Sequence, residues 1–190
     1  MPSTRGRLLV ATPTLLDPNF HRTVVAMLEH GDEGALGVVL DRPTDAPLGE
    51  ILPRWGDLAV APGVVFLGGP VQTDGMIGLA RCVVDVDPDH DHDDPPGLQR
   101  LWPGVATVDL DADPADLAGR VTGLRAFVGY AGWGAGQLEG EIAEGAWFVL
   151  DAAPGDLWTA RPRALWRAVL RRQPGRVAQF ANAPDDASSN

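Results

Sequence analysis

The chain contains no lysine: all fifteen of its basic residues are arginine. That absence removes the Walker-type phosphate loop, the kinase lysine and Schiff-base chemistry, each of which needs the amine. Serine is confined to Ser3, Ser188 and Ser189. All three lie near the ends, so a Ser-His-Asp triad is not expected. The single Cys82 permits no internal disulfide and no Cys-x-x-Cys motif, a usage compatible with a reducing compartment. It sits in the strand-like "LARCVV" without an assured basic neighbour, which favours a packing role over a nucleophile. No apolar run approaches the roughly 18–20 residues that span a bilayer. The opening "MPSTRGRLLVATPTLLDPNF" is interrupted by Pro13 and Asp17 and has no small-residue cleavage pattern, so a cytoplasmic location without membrane contact is expected.

What is present is acid, unevenly placed. Residues 1–156 carry 24 acids and 9 arginines, net −15, whereas residues 157–190 carry 6 arginines and 2 acids, net +4. The overall charge of −11 disfavours a protein that grips nucleic-acid phosphates. A length of 190 residues and 45% hydrophobic content suit one domain with a sizeable core. That domain is expected over residues 1–180, and the polar residues 181–190 read as a disordered tail.

"RLLVA" (Arg7–Ala11) reads as a strand. Arg22–His30 and Leu36–Asp41 read as an antiparallel pair around the turn "GDEGA". "APLGEILPRW" predicts a short helix with Pro47 in its first turn and Pro53 at its end. "VVFLGGPV", "MIGLARCVVDV", "VATVDL", "LRAFVGYA" and "AWFVLDA" read as further strands. "DPADLAGRV" reads as a short helix with Asp113 as N-cap and Pro114 in first position. "RPRALWRAVLRRQ" predicts an amphipathic helix ended by Pro174-Gly175. The irregular order implies an α+β fold with a mixed, strongly bent sheet.

Three segments concentrate chemistry. "GYAGWGAGQLEGEIAEGAW" (Gly129–Trp147) does not satisfy the Gly-x-Gly-x-x-Gly fingerprint in any frame. It predicts a strand–turn–helix corner whose glycines adopt positive φ, with Trp133 buried over it. A helix starting at Gly136 or Gln137 presents free N–H groups to an anion and aligns Gln137, Glu141 and Glu144 on one face. Glu141 and Glu144 together offer cation binding or acid–base work, although a solvated face is the simpler reading. "DPNFHRTVVAMLEH" concentrates Asp17, Asn19, His21, Arg22, Glu29 and His30; Asp17-Pro18-Asn19 reads as a turn, which an Asp17–Arg22 pair is expected to help hold. Asp41-Arg42-Pro43 adds an acid and a guanidinium at a strand end. "DHDHDD" (Asp89–Asp94) alternates His90 and His92 with acids, but fixes no third ligand, so no metal site or cofactor is assigned. On the last helix Arg163, Arg167 and Arg171 form a stripe suited to an acidic partner or to self-association.

Together "LLVATPTLLDPNFHRTVVAMLEH", "GALGVVLDRP", "GGPV" and "GYAGWGAGQLEGEIAEGAW" resemble the successive signatures of the AlgH/YqgE family, in the family's order. The resemblance implies a compact α+β fold with a bifurcated or barrel-like mixed sheet. It implies no established reaction, and one branch of the family carries a transcriptional-regulator label. Asp41 stands where the family usually has asparagine. The leading functional reading is a non-enzymatic regulatory or protein-interaction protein. A small-molecule-binding protein, or a metal-dependent enzyme using carboxylates near the Gly129–Trp147 corner, is the alternative, and direct DNA binding ranks third. The discriminating geometry is whether Asp17, Asn19, Arg22, Asp41, Arg42, Gln137 and Glu141 line one pocket or scatter into turns and caps.

Overall fold

Apolar runs such as "LLVA" and "VVAML" are too continuous for strands with one wet face, and the structure buries them on both. A computed structural model describes residues 2–83 and 94–183 of the chain. In order come β1 (Arg7–Ala11), β2 (Val24–Gly31), β3 (Gly34–Val39), β4 (Pro43–Pro47), α1 (Leu48–Ile51), β5 (Val64–Leu67) and β6 (Val71–Cys82). Then follow β7 (Leu98–Trp102), β8 (Val105–Val108), β9 (Val121–Gly134), α2 (Gln137–Ala143), β10 (Trp147–Asp151), α3 (Leu165–Arg171) and α4 (Arg176–Gln179). The strands make one curled half-barrel, ordered β10-β1-β2-β3-β9-β6-β8-β7. Beside it β5 runs parallel to β9, and β4 pairs with β5.

Alternation sorts the side chains of β1–β3 into two layers. Leu8, Val10, Val24, Ala26, Leu28 and Val38 pack with Leu165, Trp166, Val169 and Leu170, mostly from α3. Leu9, Ala11, Val25, Met27 and Val39 pack with Trp133, Leu138 and Trp147. A third cluster around Trp55, Leu117 and Leu124 closes the far end. Each such aliphatic burial contributes about 1.5–3 kcal/mol against exposure.

The sheet divides along β9. Phe127 and Val128 lie beside β5, whereas Ala131–Gly134 lie beside β3. Gly129, at φ +66°, is the joint. It resets the alternation, so that Phe127 enters the α3-side core while Ala131 and Trp133 enter the α2-side core. A Cβ at Gly129 would stand 2.5 Å from the Gly69 carbonyl oxygen, so space as well as φ demands glycine.

Several expectations are corrected here. Gly132 and Gly134 are strand residues within β9 and lack positive φ; Gly136, at φ +74°, makes the turn into α2. Strands β4 and β7 were not legible. β4 runs between two prolines, which an edge strand tolerates and a sequence reading takes for a turn. Pro53 does not simply end a helix but opens a 3-10 turn, Pro53–Leu58. Asp113 caps a 3-10 turn, Pro114–Leu117, by accepting the Ala115 N–H. The last helix begins as a 3-10 turn, Pro162–Ala164, and α4 follows it unexpectedly. Ala181 is buried in the α3-side core, so packing extends past residue 180. Residues 184–190 of the expected tail, and His90 and His92, lie outside the described residues.

Candidate functional site

From Tyr130 to Gly134, successive residues of β9 face opposite sides. On one side the Trp133 indole, 6% exposed, donates its N–H to Glu141 Oε2 at 2.9 Å. The Trp147 indole donates to the same oxygen at 2.8 Å. Glu141 Oε1 accepts from Gln137 Nε2 at 3.0 Å, and Gln137 Oε1 accepts the Gly134 N–H at 3.1 Å. Phe20 closes the group, stacked on Trp133 at 6.1 Å and edge-on to Trp147 at 5.5 Å. Three donors on one carboxylate make Glu141 the tie between β9, α2 and β10, each bond charge-assisted. Glu144 is exposed and takes no part in this group.

The opposite side of the same segment is open. Gly132 pairs with Leu36, Leu36 with Glu29, and Tyr130 with Val71, so these residues form adjoining rows. At Gly132 a Cβ would sit 3.1 Å from the Tyr130 ring, so its absence lets the ring lie against the strand. The result is a cleft of about 430 Å³ lined by Glu29, Glu33, Leu36, Val71, Tyr130 and Gly132, with Gly34, Ala35 and Trp133 completing its edge. Glu29 and Glu33 are exposed at its rim. The glycines thus clear a surface as well as build a corner.

The remaining signature residues gather where β2 begins and β3 ends. Asp17 Oδ1 accepts the Asn19 N–H at 2.7 Å, and the Asp17 carbonyl accepts from Phe20 and His21. This turn delivers Phe20 to the two indoles. The Asn19 side chain is exposed. Arg42 Nη2 donates to the Pro18 carbonyl at 2.9 Å. Arg22, at φ +55°, donates to the Ala183 carbonyl at 3.0 Å and lies 4.9 Å from the Trp166 ring. The expected Asp17–Arg22 pair gives way to two separate anchors. Asp41 Oδ1 accepts the Val24 N–H at 3.2 Å. Burial pushes the Asp41 carboxyl up from 3.8 to about 7, against the opposing pull of that N–H and of Arg42.

By their contacts among the described residues, the seven polar residues form two groups, the turn group around Asp17 and the Gln137–Glu141 pair, with the Phe20 ring between them. The arginine stripe divides as well. Arg163 donates to the Pro43 carbonyl and Arg167 to the Ala181 carbonyl, while Arg171 is exposed. Among the described residues no three His, Cys, Asp or Glu side chains come together as a metal would require.

Sequence reasoning missed two constructions. His30 Nδ1 accepts the Thr4 N–H at 3.0 Å, with the Thr4 hydroxyl at 2.9 Å, and His30 Nε2 meets Glu139 Oε1 at 2.9 Å. The accepting Nδ1 fixes the Nε2–H tautomer. The hydroxyl–imidazole–carboxylate line resembles a triad, yet Thr4 is 2% exposed, so it clamps the N-terminal segment to α2. The other is Arg125, 1% exposed in β9, whose guanidinium holds three backbone carbonyls. An arginine inside the apolar run "LRAFVGYA" was the available signal. His30 stood out by residue type, but nothing pointed to its partners, which lie 26 and 109 residues away.

A curled α+β half-barrel whose sheet divides along one long strand is the class of fold that this chain adopts. A family model described as AlgH-like matches residues 8–178. The chain is 53% identical to a UPF0301 protein of Streptomyces coelicolor, covering 99% of this chain and 96% of that protein. It is 45% identical to a UPF0301 protein of Mycobacterium tuberculosis, over 97% and 90% of the two chains. The crystal structure of a Corynebacterium diphtheriae protein superposes with a TM-score of 0.84 at 31% identity, covering 95% of this chain and 92% of that one. The solution structure of the AlgH protein from Pseudomonas aeruginosa gives 0.67 at 27% identity, covering 98% and 97%. The chain belongs to the AlgH-like family, whose UPF0301 members are of uncharacterised function. No described helix is long and apolar enough to cross a membrane.

Proposed function

We propose that this protein is non-enzymatic and acts by binding a protein partner that presents a basic, extended segment to the Tyr130 cleft. The observation that carries this reading is the division of labour across β9. The side chains suited to chemistry, Glu141 and Gln137, are tied to each other and, through Glu141, to the buried Trp133 indole, although Gln137 itself is exposed. On the opposite face a cleft opens beside the half-buried Tyr130 ring, with two exposed carboxylates at its rim. An aromatic face flanked by acids is complementary to arginine or lysine, through cation–π contact and ion pairing. The net charge of −11 adds long-range attraction for such a partner.

The test places a photoreactive phenylalanine analogue at Tyr130 in native cells. We expect a defined adduct with one protein, lost when Glu29→Lys and Glu33→Lys are combined in a variant that melts like the parent. Adducts indifferent to charge reversal, or the absence of any defined adduct, would defeat the proposal.

A further inference from the structure

A second cleft, of about 510 Å³, opens between β4 and the Pro162–Ala164 turn. Its volume lies in the range of small-molecule sites. Pro43, Pro62 and Pro162, with Val64, Ala160 and Ala164, form apolar walls. Proline-rich walls have little conformational freedom to lose when a ligand settles. The charged groups lining it are Arg161 and Arg163, with Asp45 as the counter-charge. Arg163 Nη2 donates to the Pro43 carbonyl at 3.3 Å, which joins the two walls and holds that guanidinium over the cleft.

Behind the wall lies Arg125. Its Nη2 donates to the carbonyls of Ala61 and Thr159 at 2.7 and 2.9 Å, the chain neighbours of the wall residues Pro62 and Ala160. Its Nη1 donates to the Leu157 carbonyl, and its plane lies 4.5 Å from the Phe66 ring. These acceptors are neutral, and the buried Nε has no partner. Burial lowers its pKa only to about 10, so it stays charged at neutral pH. A buried cation without a carboxylate projects its field further than a paired one, because little water screens it. Within a strongly acidic protein, two guanidiniums at the rim and one behind the wall create a local positive region beside apolar surface.

We infer that this cleft binds a small apolar carboxylate, its carboxylate against Arg161 and Arg163 and its hydrocarbon part against the prolines and Val64. The site goes beyond the proposed partner contact and uses different residues, so either can fail without the other. Octanoate and its neutral analogue octanamide are the probes, with backbone amide shifts of the full chain followed by NMR. Octanoate is expected to give saturable shifts at Thr44, Asp45, Val64, Ala160, Arg161 and Ala164, at least ~10-fold tighter than octanamide, since charge-assisted bonds distinguish the two. Combining Arg161→Ala with Arg163→Ala removes that preference, and Asp45→Asn tightens octanoate alone. All three side chains are exposed, and an unchanged amide spectrum elsewhere verifies the fold. Equal binding of acid and amide, a preference that survives the double variant, or no saturable shift at these positions would overturn the inference.

Discussion

Replacing Asp41 by asparagine isolates one ionisable group that the fold holds at an unfavourable depth. The carboxyl rises from 3.8 to about 7, chiefly by burial. The folded chain therefore binds this proton more tightly than the unfolded chain does. Between about pH 4 and pH 7 the native state holds more protons, so stability falls as pH rises through that window. A displacement of about three pH units corresponds to about 4 kcal/mol as a ceiling. Asp41 is only half-buried by surface area and keeps the Val24 N–H, so solvent screening reduces the expected deficit to about 1–3 kcal/mol. Asparagine retains an acceptor for Val24 and never ionises. Urea denaturation of parent and Asp41→Asn at about pH 4.5 and about pH 8.5 measures the difference, with the other titrating groups cancelling between the two proteins. We expect near-equality in acid and a more stable variant in base. A difference that is constant with pH, or that grows toward acid, would refute the reasoning.

Three further outcomes follow. Trp133→Ala empties a large aromatic site and removes one of the donors to the Glu141 carboxylate; chemical denaturation should show a loss of about 3–5 kcal/mol, and a loss below about 1 kcal/mol would sink the packing account. Gly129→Ala combines a positive φ, worth about 1–2 kcal/mol, with a contact on the Gly69 oxygen, so a markedly lowered melting temperature is expected; a parent-like value would mean that the strand joint is dispensable. Duplex DNA should not be bound appreciably at physiological salt, and a tight, salt-sensitive complex weakened by mutating Arg163 and Arg167 would contradict this.

The strands with continuous apolar runs, the turn after β2, the Asp113 cap and the buried faces of α3 were all legible, because each follows from local pattern. Trp133 is buried as expected, but by strand alternation in β9 and not by the glycine turn that the sequence suggested. What escaped depended on pairing across the sheet. β4 looks like a turn until β5 supplies its partner, and Gly132 looks like a turn until β3 does. The seven polar candidates were chosen for their chemistry, whereas their roles were decided by neighbours such as Phe20 and Pro18 that carry no chemical signal. His30 shows the limit most clearly, since its geometry exists only after Thr4 and Glu139 arrive from distant parts of the chain.

The pairing of β1 with β10, from Arg7 opposite Asp151 to Ala11 opposite Trp147, also fixes an order of events during synthesis. A ribosome adds about 5–20 residues per second, and domains fold as their sequence emerges. The first three strands leave the exit tunnel early, yet one of their oily faces waits for Leu165–Leu170 and the other for Trp133–Trp147. Nascent chains halted before α3 would therefore leave the Leu8, Val10, Val24 and Ala26 face without its Leu165–Leu170 cover. They would be clients for a holding chaperone, and fragments truncated there would be recovered from the insoluble fraction.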